Sequence, residues 1–298
     1  MLFRSSAVLL AAVFALQAPA ADLVGYADDP ARYDRFASGF PASPVATAAA
    51  QFLGAGLDLS GVGWVTAGPR TGVTLIADRY IIGSAHNGFA VGTGVTFAGT
   101  GGLRAFTVDQ VTRLSTGALP SDLIVGRLSA STAGTGVTPI PVGQVSAAQV
   151  VGTPLLVYGS NPNAPYSNSP HLGLGTVAGT RQISAFGGAD DNVVYEFLRD
   201  PAVAGSAQAV GGDSGSPSLV RQGNQAVILG THYAIGTLGG QPATFDVFLS
   251  EYLLQIRQAT DFTVLVAPVP EPAGLLIAAV AAAACGRVRR QTATAARA

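Results

Sequence analysis

Apolar positions along this chain fall in short runs rather than in long periodic stretches. The runs Val73–Ile76, Tyr80–Ile82, Leu123–Val125, Leu155–Tyr158, Val193–Tyr195 and Val227–Leu229 are separated by Gly, Asn, Asp and Pro. Runs this short between turn-formers, with no helical amphipathic stretch between them, predict an all-β sandwich or barrel. Gly223-Asn224 lies between two such runs and predicts a hairpin turn. One segment departs from the pattern. Phe248, Leu249, Tyr252, Leu253 and Ile256 recur at helical spacing and predict a C-terminal helix over 247–259, capped by Asp246. Residues 261–267 alternate weakly and predict one more strand. Residues 21–60 read as an N-terminal arm or a pro-segment. No internal repeat is present.

Composition narrows the function. The chain has 298 residues and a formal net charge of −1, so no basic surface for nucleic acid is indicated. Its 16 basic residues are all arginine. The single cysteine, Cys285, lies near the C-terminus, which leaves the folded part without disulfides or a thiolate metal site. The 3 histidines, His86, His171 and His232, are too scattered for a short-spaced metal motif. No cofactor is expected. His171, in a Pro-rich loop, is expected at the surface, and Asp190-Asp191 as solvated loop acids.

Both ends carry signals of address. Arg4, the apolar stretch Ala7–Leu16 and Ala18-Pro19-Ala20 have the order of a secretory leader, so residues 1–20 are expected to be removed and Ala21 to start the mature chain. Near the C-terminus, Val269-Pro270-Glu271-Pro272 precedes the apolar run Ala273–Cys285 and then Arg287, Arg289 and Arg290. That run is shorter than the ~20 residues of a membrane-spanning helix. The order resembles a PEP-CTERM sorting tail of Gram-negative bacteria, here over 269–290. The resemblance implies an exosortase-type processing partner, transient membrane contact and release to the cell envelope. A permanent anchor is the alternative. Residues 263–272 read as the linker to this tail.

Three motifs carry candidate chemistry. Gly212-Asp213-Ser214-Gly215-Ser216-Pro217 sets a serine in a sharp glycine turn, where its hydroxyl and nearby backbone N–H groups converge. Ser84-Ala85-His86 ends a predicted hairpin over 72–86. Asp122-Leu123-Ile124-Val125 puts an acid at the head of an apolar strand. A serine, a histidine and an acid are the parts of an activated nucleophile. Each alone is commonplace: a turn serine, a strand-end histidine, a solvated aspartate.

Together, in this order, the motifs resemble those of the trypsin/chymotrypsin-like serine peptidases, over about residues 61–260. The resemblance implies two packed antiparallel β-barrels that split near 140–150, with a C-terminal helix, in a peptidase domain over 61–262. It implies peptide-bond hydrolysis through an acyl-enzyme on Ser214, with His86 as base and Asp122 orienting it. The N–H groups of Gly212 and Ser214 would form the oxyanion hole. Asn87 stands where the family has a cysteine and Ser216 where it has a glycine. In activated members the acid before the serine, here Asp213, pairs with a freed N-terminal amine. No clear activation site is present, and Leu23-Val24-Gly25-Tyr26 is a faint echo of one. A lipase-type elbow does not fit, because Ser216 occupies the position of its second glycine.

Gln208 falls where trypsin-like members keep a pocket carboxylate, so cleavage after Arg or Lys is not expected. Gly230-Thr231-His232-Tyr233 resembles a segment of the glutamyl endopeptidases, which implies that His232 and Tyr233 line the substrate pocket and that an acidic residue precedes the cut. An ordinary strand histidine is the other reading of His232. A non-catalytic envelope binding protein that keeps the fold is the other reading of the whole chain.

Overall fold

Strands of the first half close on themselves. The computed structural model describes residues 21–67, 70–115, 117, 119–159, 169–184 and 190–272. The leader expected over residues 1–20 and most of the expected sorting tail, from residue 273 on, lie outside these. Two short strands, β1 (Asp22–Leu23) and β2 (Phe36–Ser38), flank the one-turn helix α1 (Pro30–Tyr33), and β3 (Val45–Ala46) pairs with β2. There follow β4 (Val62–Val65), β5 (Gly72–Ala77), β6 (Tyr80–Ser84), β7 (Gly94–Gly99), β8 (Gly102–Arg113) and β9 (Leu123–Leu128). These six form a closed barrel in the order β4-β5-β6-β9-β8-β7.

The second half holds β10 (Val142–Gln144), β11 (Pro154–Gly159), β12 (His171–Ile183), β13 (Asn192–Leu198), β14 (Ala207–Gln208), β15 (Pro217–Gln222), β16 (Gln225–Leu238) and β17 (Gln241–Phe248). An eight-stranded sheet runs β15-β11-β12-β13-β17-β16-β10 and ends on β18 (Val266–Pro268). Because β15 also pairs with β16, six antiparallel strands of this sheet return on themselves as a second ring. Leu249–Tyr252 form a 3-10 turn that leads into α2 (Leu253–Ala259). This is the all-β, two-barrel arrangement with a closing helix that the chymotrypsin-like resemblance implies.

The unbroken apolar runs have a physical cause. Successive side chains of a strand point to opposite faces, and here both faces are covered. In β6, Ile81 packs inside the first barrel, while Ile82 joins the layer between the rings. In β9, Ile124 goes inward and Leu123 and Val125 go to that middle layer. In β16, Val227 and Leu229 fill the second ring and Ile228 meets the middle layer. Tyr252 and Ile256 of the terminal helix close the same layer.

Two sequence-based expectations need correction here. The helix does not begin at 247: Val247 and Phe248 belong to β17, and Asp246 caps nothing because it is a buried strand residue. Apolar side chains at helical spacing on either side of the strand end produced that reading. The linker expected over 263–272 is also packed. β18 runs parallel to β10, and the Val269 N–H donates to the Gln144 carbonyl at 3.0 Å. The arm over 21–60 lies across both rings. Arg35, 5% exposed, donates to the carbonyls of Val62 and Leu59 and to the Tyr158 hydroxyl.

Candidate active site

The strand end of β6 and the head of β9 are neighbours in the first barrel, with Ser84 opposite Leu123. The chain leaves β6 through Ala85, whose N–H donates to the Asp122 carbonyl at 2.7 Å. His86 is then held twice by one carboxylate. Its backbone N–H donates to Asp122 Oδ1 and its ring Nδ1–H to Oδ2, each at 2.8 Å. This fixes the tautomer and leaves Nε2 as an acceptor. Ser214 Oγ stands 2.8 Å from Nε2. Asp122 is 1% exposed, while the His86 side chain keeps 17% of its surface in solvent.

Asp122 is secured from the second ring. Its backbone N–H donates to Asn192 Oδ1 at 2.7 Å, and Asn192 in turn donates to Asp190 Oδ2 at 3.2 Å. Asp190 is 2% exposed, so it is not the solvated loop acid expected from the sequence. Among the described residues no cluster of acids, histidines or cysteine could hold a metal ion.

Ser214 sits in the turn between β14 and β15. Ser216 N–H donates to the Asp213 carbonyl, and Gly215 N–H to the His232 carbonyl at 3.0 Å. Gly215, at φ +77°, packs so closely that a Cβ would lie 2.6 Å from the Gly72 carbonyl oxygen. Gly72 in turn would place a Cβ 2.6 Å from Ser216 Cα. The two rings thus meet backbone to backbone directly behind the serine, and this lets a histidine of one reach a hydroxyl of the other. Gly212, at φ +103°, takes the left-handed conformation glycine favours.

His86, Asn87, Gly212, Ser214, Val210, Tyr233 and Ile235 are among the residues lining a cleft of about 560 Å³. The Tyr233 ring packs edge-on to His86, with centroids 6.3 Å apart. Asn87 Nδ2 lies 3.2 Å from Ser214 Oγ. The structure therefore brings His86, Asp122, Ser214, Gly212 and Tyr233 to one place. The oxyanion-hole, catalytic and substrate-binding roles read for them belong to the proposal below.

Two expected pocket residues are placed differently. Gln208 is not among the residues lining the cleft; its amide donates to the carbonyls of Ala243 at 3.2 Å and Gly236 at 3.5 Å. His232 borders the cleft, but its ring is turned into the protein. Nδ1 pairs with Asp246 Oδ1 at 2.7 Å and Nε2 meets the Tyr158 carbonyl at 3.1 Å. Two acceptors on two ring nitrogens call for both to be protonated. Burial alone would lower this pKa, yet the Asp246 charge and hydrogen bond outweigh it and hold it above the usual 6.5. Tyr195 also donates to Asp246, at 3.0 Å.

Three features escaped the sequence. His171 is fully buried rather than at the surface. Burial lowers its pKa, an effect that the nearby Asp213 charge opposes, and its Nε2 lies 3.3 Å from the Ala21 carbonyl. Asp213 is fully buried, and its Oδ2 accepts from the Val210 N–H at 3.1 Å and from the Ala21 N–H at 3.0 Å. Ala21 is itself 0% exposed, immediately before the strand β1 that pairs with β14. Asn192 gave no sequence signal at all. Ala21 had one: it is the residue that follows Ala18-Pro19-Ala20.

No family model matches this sequence, and no curated protein matches it. Among solved structures, neuropsin, a serine protease expressed in the limbic system of mouse brain, is similar over 67% of this chain and 94% of its own, at 16% identity and a TM-score of 0.48. The site stands on its own geometry.

Proposed function

We propose that this chain is an exported serine endopeptidase. The observation that carries the reading is the unbroken line from Asp122 through His86 to Ser214, with both contacts at 2.8 Å and its open end in the cleft. Ser214 Oγ attacks a substrate carbonyl carbon while His86 Nε2 takes the hydroxyl proton. Asp122 stabilises the imidazolium that results. The N–H groups of Gly212 and Ser214 receive the oxyanion. When the C–N bond breaks, Nε2 returns the proton to the leaving amine, which leaves an ester on Oγ. Water, deprotonated by the same nitrogen, then releases the acid and restores the hydroxyl. No metal or cofactor enters these steps. A fluorophosphonate probe should label the mature protein and should not label Ser214→Ala. An unlabelled wild type would turn the reading to an envelope binding protein.

The cleft offers the apolar side chains of Ala209, Val210 and Ile235, which favours an apolar residue before the cut. An acidic preference would draw on His232, but that ring is paired with Asp246 and spends Nε2 on Tyr158, so it offers neither net charge nor a donor. Peptides that differ only at that residue decide between Leu or Val and Glu.

The leader and the sorting tail read from the sequence support export and envelope release. Ala21 adds to this. A leader cut after Ala20 turns the N–H beside Asp213 into an ammonium, and a charge-assisted bond to a buried carboxylate is roughly twice as strong as a neutral one. Asp213 lies within the nucleophile turn, so leader removal and ordering of the site would be one event. Mass spectrometry of both ends of the secreted protein tests the leader and the tail together.

A further inference from the structure

We propose that Asn87 is a further catalytic residue, one that donates a hydrogen bond to the nucleophile itself. The inference rests on the peptidase reading above and assigns a role to a residue that reading does not use. Asn87 Nδ2 lies 3.2 Å from Ser214 Oγ, and Oγ is also held at 2.8 Å by His86 Nε2. The hydroxyl proton goes to Nε2, so an Oγ lone pair remains to accept the carboxamide N–H.

The backbone that carries the donor is held in place although its side chain is exposed. On one side the His86 N–H is bound to Asp122 Oδ1. On the other, Gly88 lies against β6 so tightly that a Cβ would stand 2.3 Å from the Ser84 carbonyl oxygen and 2.4 Å from Ile124 Cδ1. The backbone on both sides of Asn87 is thus anchored, and from it the amide reaches Ser214 Oγ at the edge of the cleft.

The value of such a donor changes along the reaction. Oγ gains negative charge as its proton passes to Nε2 and before the C–O bond is complete. In the acyl-enzyme it is an ester oxygen and a poor acceptor. It gains charge again when water has added and the C–Oγ bond breaks, before Nε2 returns the proton. A donor aimed at Oγ therefore favours both moments over the states around them, which is the condition for raising a rate rather than tightening binding.

The experiment uses the mature protein and two readouts, fluorophosphonate labelling and cleavage of a peptide substrate. Labelling needs attack by Oγ but has no leaving amine. Asn87→Ala should slow both by the same factor, roughly five- to tenfold for one lost neutral hydrogen bond, with KM and thermal midpoint unchanged. Asn87→Asp keeps the shape but replaces the donor with a negative charge beside His86. It should slow both reactions and move the acidic limb of kcat/KM to higher pH, whereas Asn87→Ala leaves that limb in place. Labelling of Asn87→Ala at the wild-type rate overturns the proposal, and so does slowed peptide cleavage with normal labelling, since the amide would then serve the leaving group. If Asn87→Ala is unstable, the labelling rate and pH limb of Asn87→Asp decide alone. A wild type that does not label removes the peptidase reading, and this proposal with it, whereas normal labelling in both proteins removes only this one.

Discussion

Two histidine–aspartate pairs stand close together in this molecule, and they are built for different work. His86 with Asp122 and His232 with Asp246 have nearly the same Nδ1 contact, 2.8 Å and 2.7 Å. They differ at the other ring nitrogen. That of His86 faces a hydroxyl at the edge of a cleft, and the ring keeps 17% of its side-chain surface exposed. That of His232 is closed off by a backbone carbonyl, and its side chain is 3% exposed. A proton on His86 Nε2 has somewhere to go, whereas a proton on His232 Nε2 serves only to hold β16 to Tyr158 at the end of β11. An acid beside an imidazole is therefore no mark of a catalytic base until the second nitrogen is accounted for.

The first way to break the comparison is to remove each acid in turn. Asp122→Asn should cost about 10⁴ in turnover, less than the roughly 10⁶ of Ser214→Ala, and leave thermal unfolding little changed. Asp246→Ala should do the reverse. It strands a buried imidazole that was paired, at about 3–5 kcal/mol in urea unfolding, and any loss of turnover would follow the loss of fold. If Asp246→Ala folds normally and is inactive, the division of labour is wrong.

A third buried acid sharpens the contrast. Asp213 accepts from the Ala21 N–H at 3.0 Å, and its charge also acts on the buried His171. Protein that begins at Ala21 should label readily, while the same protein with that amine acetylated should label at least several-fold more slowly, the effect of losing a charged hydrogen bond. Equal labelling rates would mean that the amide N–H suffices.

The smallest expected effect is in pH dependence. His232 binds its proton more tightly when folded, so its contribution to stability is complete below the usual 6.5 and is lost as pH rises through its raised folded value. His171 has the opposite sign. Its lowered folded value makes the unfolded chain the better proton acceptor, so stability falls as pH drops below 6.5 towards that value. Thermal midpoints across this range should lose their decline on the alkaline side in His232→Gln and their decline on the acidic side in His171→Gln.

Much of this was legible in the chain, for identifiable reasons. The all-β class announced itself because strands such as β5, β6, β9 and β11 are covered on both faces, which turns alternation into unbroken runs such as Leu155–Tyr158. The hairpin at Gly223-Asn224 was readable because Gln222 pairs with Gln225 across it. The residues now gathered at Ser214 stood out by order along the chain. The rest depended on contacts that no local pattern encodes. Asn192 anchors Asp122 across the ring boundary with a generic amide. His171 follows a Pro-rich stretch, yet opens β12 and is covered by the N-terminal arm. Asp246 resembled a helix cap because its true partner, His232, lies on the neighbouring strand.

The strand β18 bears on what happens at the far end of the domain. Val266–Pro268 are zipped to Val142–Gln144, and Val269 beyond them is 6% exposed. The main-chain pairing of this strand thus reaches Val269, immediately before Pro270-Glu271-Pro272, where Gln149 still donates to the Glu271 carboxylate. Scission at those prolines would detach whatever follows without unpicking a single rung of the sheet. Release at that point would alter where the protein resides and leave its shape and chemistry as they were.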